Sequence, residues 1–165
     1  MNNTEERIAN AIGYWSGHAF MRRYLGYKGG DLTIFEDGSS YFDSPDWERL
    51  ILDEDLIMMF LAGMFMADPW LIVESQLLSL DNPDMRRVRE ILTYDYRQDC
   101  LPPQDMGVIS QDDAILLYWE RVKDIMLDSR VEWACECLRD ELEEDHALSG
   151  SEIDALLDKL YATQP

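Results

Sequence analysis

The chain has 165 residues, of which 47% are hydrophobic and 11% aromatic, so it carries enough apolar side chains to fold. Its 34 acidic residues against 14 basic ones give a formal net charge of −20. This charge excludes binding to nucleic acid or to an anionic membrane through the overall field, because phosphates are repelled. We therefore expect one acidic helical domain, residues 1–165, whose partners carry basic surfaces.

The first segment predicts a long helix followed by a hairpin. Asn3 is a candidate N-cap, and apolar residues at helical spacing predict a helix from about Thr4 to Tyr24. Two short β-prone runs flank Asp37-Gly38, a pair typical of tight turns. We expect a small β-hairpin over about residues 31–43.

The middle of the chain repeats one helix-start signal, a capping residue followed by proline and, at two of the three sites, an acid. The apolar run Leu56 to Ala67 is too short for a membrane span, which needs about 20 residues, and we expect a buried helix. The predicted elements are a helix or helix pair at Asp46 to Met66, helices at Pro69 to Leu78 and Pro83 to Gln98, and a loop at Cys100 to Gly107.

The last third is predicted to be helical and strongly acidic. Ser110 with Asp113 opens a helical run to about Glu144, and the capping box of Ser149 and Glu152 begins a last helix to Tyr161. The fold class expected is mainly α, with about six helices and one small hairpin after the first helix. The acidic C-terminal helices occupy about residues 110–161.

The three cysteines favour a reducing compartment. Cys100, Cys135 and Cys137 are an odd number, and neighbours two apart on a helix point to different faces. Neither a second cysteine pair nor a histidine cluster completes a metal site, and His146 is the only residue close in sequence that could contribute. The N-terminus lacks the pattern of a secretory signal. We expect free thiols, a cytoplasmic protein, no metal and no cofactor.

Four short strings occur in an order that suggests a family. They are Tyr14-Trp15-Ser16-Gly17-His18-Ala19, Leu61-Ala62-Gly63, Asn82-Pro83-Asp84-Met85-Arg86-Arg87 and Leu148-Ser149-Gly150-Ser151-Glu152-Ile153-Asp154-Ala155-Leu156-Leu157. Together they resemble the peptidase domain of FtsH-type zinc metalloproteases, particularly the short relatives that lack an ATPase. That family carries His-Glu-x-Gly-His on a helix and takes a third zinc ligand from an Asp-led helix.

The resemblance implies a degenerate site. Tyr14 stands in place of the first histidine and Trp15 in place of the glutamate that activates water, while His18 and Asp84 match the remaining ligands. Two ligands without a base predict no peptidase activity and no catalytic residue. If the resemblance does not hold, His18 is expected to be a partly buried histidine bonded to a backbone carbonyl, with Tyr14 and Trp15 as core aromatics.

The acidic segment is the other candidate site. Asp128 to Asp158 contains eleven acids against Arg130 and Arg139, a charge of −9. Acids at i, i+4 spacing repel one another, so the row weakens the isolated helix. The predicted partner-binding residues are Asp128, Glu132, Glu136, Asp140, Glu141, Glu143, Glu144 and Asp145.

These features predict a non-enzymatic acidic protein that binds a basic surface. The sharper hypothesis is a phage or mobile-element DNA mimic that blocks a nucleic-acid-binding defence complex, as anti-CRISPR and anti-restriction proteins do. The alternative is an inactive metallopeptidase-like domain that serves as a peptide-binding or protein-binding adaptor. An enzyme of another type is a third, weaker hypothesis, and the oligomeric state is open.

Overall fold

The computed structural model describes residues 3–43, 51–67, 74–97 and 110–162. Within those ranges it has seven helices and a small antiparallel sheet, so the predicted mainly α class is confirmed. None of these helices is both long and apolar enough to cross a membrane. The elements are α1 Asn3–Tyr24, β1 Asp31–Ile34, β2 Ser40–Asp43, α2 Asp53–Ala67, α3 Glu74–Ser79, α4 Pro83–Arg97, α5 Gln111–Met126, α6 Ser129–Asp145, β3 Ala147–Leu148 and α7 Gly150–Ala162.

The centre of the fold is the crossing of α1 and α2. A Cβ atom built on Gly17 would lie 2.3 Å from the carbonyl oxygen of Ala62, and one built on Gly63 would lie 2.6 Å from the Tyr14 ring. The two backbones therefore approach to a distance that only glycine permits at these positions. The crossing fixes Tyr14, on α1, against α2.

The α2 helix is buried around most of its circumference. Every residue from Ile57 to Met64 is buried, which confirms the buried helix predicted from the apolar run. On α5, Trp119 is fully buried, with its ring centroid 5.6 Å from that of Phe65. The core thus runs from α1 through α2 to α5.

The predicted hairpin is confirmed. Gly38 has a φ of +81°, and the Asp37 carboxylate accepts the Ser39 backbone N–H at 2.9 Å, which closes the turn. A third strand was not predicted: β3 pairs with β1 through Leu32–Leu148 and Thr33–Ala147, in the order β2-β1-β3. A strand of two residues is too short to show the alternating pattern from which strands are predicted.

The start of α7 docks on the segment that leads into β1. A Cβ on Gly150 would lie 2.4 Å from the Gly29 carbonyl oxygen, so these two backbones also touch. Gly150 N–H donates to the Asp31 carboxylate at 2.8 Å, and Gly29 N–H donates to that of Asp154 at 2.9 Å. Residues about 120 positions apart are thereby joined.

Both helix-start signals of the acidic region are confirmed, but the continuous run between them is wrong. Ser110 and Asp113 form the predicted capping box, and the Ser149 N–H donates to Glu152 at 2.8 Å. The helix expected to continue to Glu144 ends at Met126, and a new one begins after Asp128, whose carboxylate accepts the Arg130 N–H at 2.9 Å. Asp128 acts as an N-cap and starts a new helix, although the apolar residues continue at helical spacing through this position.

Some expected boundaries fall elsewhere or outside the described residues. Because Ile51 and Leu52 are not helical, one unbroken helix from Asp46 to Met66 is wrong. The start signals at Ser44 and Asp68, together with the loop from Cys100 to Gly107, lie outside the described residues.

Candidate functional site

A cleft of about 510 Å³ opens between α1, the hairpin, α2 and the first turn of α4, and we call it the α1–α4 cleft. Its wall is more apolar than polar, and among its described lining residues Asp84 supplies the one carboxylate and Arg7 the one guanidinium. The side chains that matter most for its chemistry are those of Ala11, Tyr14, Trp15, His18, Phe60 and Asp84.

Two local rules place these side chains. Tyr14 and His18 are four residues apart on α1 and so lie on one helical face. Asn82 caps α4, accepting the Met85 N–H at 2.8 Å, so Asp84 sits in the first turn. A carboxylate is stabilised there by the helix dipole.

His18 lies at the bottom of an aromatic cluster. Its ring centroid is 5.0 Å from that of Trp15, 5.6 Å from Phe42, 6.0 Å from Tyr14 and 6.2 Å from Phe60. The indole N–H of Trp15 donates to the Ser40 hydroxyl at 2.8 Å, which ties the cluster to the hairpin.

The histidine is held neutral. His18 is only 1% exposed, so the prediction of a partly buried residue understated its burial. Burial lowers its pKa to about 3, and the nearby Arg22 charge acts in the same direction. At neutral pH this imidazole has no charge to offer a ligand.

Sequence reasoning missed Arg22. This guanidinium, on α1 one turn after His18, is 3% exposed and donates from Nε to the Lys28 carbonyl. It lies 5.6 Å from the centroid of the Phe42 ring. Burial lowers its pKa, while the charge of Asp154 raises it. Nothing in helical periodicity distinguishes a buried arginine from an exposed one.

Tyr14 and Asp84 interact electrostatically across the cleft. Burial raises the pKa of the Tyr14 hydroxyl well above its ordinary value, and the charge of Asp84 adds to this. Burial also raises the pKa of Asp84, while its interaction with Tyr14 lowers it. A phenol is thus placed near a carboxylate. Among the described residues, no basic nitrogen lies within 4.0 Å of Asp84.

The structure therefore brings Tyr14, Trp15, His18 and Asp84 into one cleft. No three histidine, cysteine or acidic side chains are grouped as a metal site within the described ranges. Position 14 offers a phenol where the resemblance would require an imidazole. A largely apolar wall with one carboxylate and one guanidinium suits the binding of a ligand.

The predicted acidic residues form the other candidate site, which we call the α6 acidic surface. They occupy the N-cap and exposed positions of α6 and fall on more than one of its faces. Its members are exposed, while the opposite stripe of α6, including Cys135, Leu138 and Leu142, is buried. Among the described residues, one acid of the set, Asp128, is ion-paired, at 4.0 Å from Arg130. The surface comprises Asp128, Glu132, Glu136, Asp140, Glu141, Glu143, Glu144 and Asp145.

The two described cysteines behave as the spacing predicts, with Cys135 buried and Cys137 partly exposed on another face. Burial raises the pKa of the Cys135 thiol to about 12. Burial and then the charge of Asp140 raise that of Cys137. Both thiols are therefore weak nucleophiles at neutral pH. Cys100 lies outside the described residues.

A smaller groove of about 180 Å³ between α1, α6 and α7 was not predicted. Phe20, Tyr24 and Leu160 line it, next to Asp128 and Arg130. It is formed by α1 together with two helices about 100 residues later in the chain, so no local pattern signals it.

Comparison of the sequence with models of known protein families and with curated proteins found no match.

Proposed function

We propose that this chain is a non-enzymatic protein that binds a basic partner through the α6 acidic surface. The observation that supports the proposal is the state of its carboxylates: seven of the eight lie beyond 4.0 Å of any basic nitrogen in the described residues. Each is exposed, so a partner can neutralise it without unpacking the core. Charge of one sign on a rigid helix also accelerates encounter with a basic surface.

The finer proposal is mimicry of nucleic acid. Carboxylates four residues apart on a helix are separated by a rise of about 6 Å. This is of the same order as the phosphate separation along one DNA strand. The row Glu132, Glu136, Asp140 and Glu144 has this spacing on α6. A basic groove that binds a duplex is the matching partner, and a nucleic-acid-binding defence complex is the kind of machine that offers one.

Neutralising that row is expected to stabilise the fold. Replacing Glu132, Glu136 and Glu144 with glutamine and Asp140 with asparagine removes four like-charged i, i+4 pairs, counting Asp128 with Glu132, each worth a few tenths of a kcal/mol. We expect the free energy of unfolding in urea, at low salt, to rise by about 1 kcal/mol. A loss of stability would mean that these acids have structural partners.

The same variant tests binding. Immobilised wild-type chain is exposed to an extract of its native host at about 50 and 500 mM salt. Retained proteins should carry basic surfaces, should be lost at high salt, and should be released by added duplex DNA. The variant should retain none of them. Retention that is unchanged by salt, or equal for the variant, overturns the proposal.

A control variant separates the surface from net charge. Both variants change the charge from −20 to −20 + 4 = −16. If the control loses binding as fully as the α6 variant, the overall field and not α6 recruits the partner. Its substitutions, at exposed acids elsewhere, are Glu5→Gln, Glu36→Gln, Glu54→Gln and Asp124→Asn.

The α1–α4 cleft supports a second candidate, a peptide-binding adaptor derived from a peptidase-like domain. The supporting observation is that Tyr14, Trp15, His18 and Asp84 line one cleft although Asp84 is 66 residues from His18 (84 − 18). That is the grouping the family resemblance implies. A cleft with an apolar wall and one polar anchor is suited to side chains of an extended peptide.

Blocking the cleft tests this second candidate. Ala11→Trp places a large side chain in the cleft, whereas Ala9→Trp changes an exposed position of the same helix. On an array of charge-neutral 15-residue peptides, the wild type and Ala9→Trp should bind the same subset and Ala11→Trp should lose it. Equal binding by all three would rule out the cleft.

A further inference from the structure

We infer that the α1–α4 cleft binds an alkylammonium group, with the aliphatic stem along its aromatic wall and the ammonium at Asp84. The inference rests on the proposed role of the cleft as a peptide-binding site and names the side chain that it would select. A lysine side chain and a free polyamine share this chemistry. The lysine of a protein segment is the source that fits an adaptor.

The wall of the cleft is matched to a stem of methylene groups. Tyr14, Trp15 and Phe60 face it together with Ala11, and the volume of about 510 Å³ exceeds what one side chain needs. Lysine buries its four methylenes on apolar surface while its charged end seeks a polar partner. Aromatic rings near the ammonium add electrostatic attraction.

The Asp84 carboxylate is partly buried and interacts with the Tyr14 hydroxyl. In the part of the chain that the structure describes, no basic nitrogen lies within 4.0 Å of it. Burial without a countercharge raises its pKa, so an arriving ammonium would gain a charge-assisted hydrogen bond and remove that penalty. Because Tyr14 interacts with the same carboxylate, a compact ammonium is favoured over a planar guanidinium, whose bidentate pairing uses both oxygens.

Two positive charges of α1 lie at or near the cleft. Arg7 lines the cleft, and its charge acts on the Asp37 carboxylate, whose pKa it helps to lower. Arg22 is bonded to the Lys28 carbonyl and interacts with Asp154. The chain as a whole carries −20, which favours the approach of a cation.

Small probes test the inference on the intact protein by NMR, with the indole N–H of Trp15 as reporter because it lies beside the cleft. The probes are the N-acetyl N-methylamides of lysine, norleucine and arginine, with spermidine as the free amine. We expect the lysine probe to shift the Trp15 signal with a millimolar Kd and to bind at least about tenfold more tightly than norleucine, which corresponds to about 1.4 kcal/mol. Arginine should bind more weakly than lysine.

Variants locate the charge. Asp84→Asn should reduce lysine binding to the norleucine level, whereas Asp81→Asn, at an exposed acid paired with Arg86 just before α4, should not. If Asp84→Asn fails to fold, the lysine-to-norleucine ratio on the wild type decides alone. Equal affinity for those two probes overturns the inference, and so does binding of spermidine in preference to lysine. Equal affinity for those two probes would still be compatible with a cleft that binds neutral peptides. Neither result tests the proposed role of the α6 acidic surface.

Discussion

Replacing Gly17 with alanine should destabilise the fold by about 2 kcal/mol. The new methyl group would lie 2.3 Å from the carbonyl oxygen of Ala62 and 2.7 Å from Cγ of Met66. A backbone carbonyl cannot rotate away, so α1 and α2 must separate, and overpacking of this kind costs about 3 kcal/mol. The better helix propensity of alanine returns about 1 kcal/mol.

Urea unfolding followed by tryptophan fluorescence measures this change, and the thermal midpoint should fall by roughly 4 to 8 °C. Ala9→Ser is the control, because it adds one heavy atom at an exposed position of the same helix and should change stability by less than about 0.5 kcal/mol. An unchanged midpoint for Gly17→Ala would show that the helices are not in backbone contact.

His18 should make the protein less stable in acid. In the unfolded chain a histidine takes up a proton below pH 6.5, whereas His18 in the folded protein does so only near pH 3. Between these two pH values the unfolded state therefore binds more protons than the native state. The free energy of unfolding consequently falls as the pH falls. Between pH 7.5 and pH 5.0 the loss attributable to this one residue is about 2 kcal/mol.

A His18→Phe variant isolates that contribution. Protonation of the many carboxylates changes the stability of both proteins alike, so the informative quantity is the difference between their unfolding free energies at pH 7.5 and at pH 5.0. We expect the variant to gain about 2 kcal/mol relative to the wild type over this range. Parallel pH curves would mean that the His18 ring is reached by solvent.

Elements that begin with a capping residue could be predicted from the sequence because capping is a local interaction. Ser110 with Asp113, and Ser149 with Glu152, bond within three residues of each other. The same locality explains the hairpin, since Asp37 and Gly38 determine its turn without help from the rest of the chain. Asp128 carried an equal signal, but the surrounding helical periodicity masked it.

Contacts between distant segments could not be predicted. Strand β3 exists because β1 offers it an edge, and Arg22 is buried because Lys28 and Phe42 close over it. In the candidate site, only the family resemblance linked Asp84 with the residues of α1, since periodicity alone carries no information across that separation. The interaction between Tyr14 and Asp84 was not predicted, because the resemblance treats position 14 only as the place of a lost zinc ligand.

The contact between Gly29 and Gly150 has a consequence for biosynthesis. On a ribosome the first half of the chain, which contains α1, the hairpin and α2, emerges well before α7. The hairpin forms one side of the α1–α4 cleft, yet it gains its third strand and its bonds to Gly150 and Asp154 only once residues 147–154 have been made. A nascent chain therefore exposes an unpaired edge of β1 until Ala147 and Leu148 emerge.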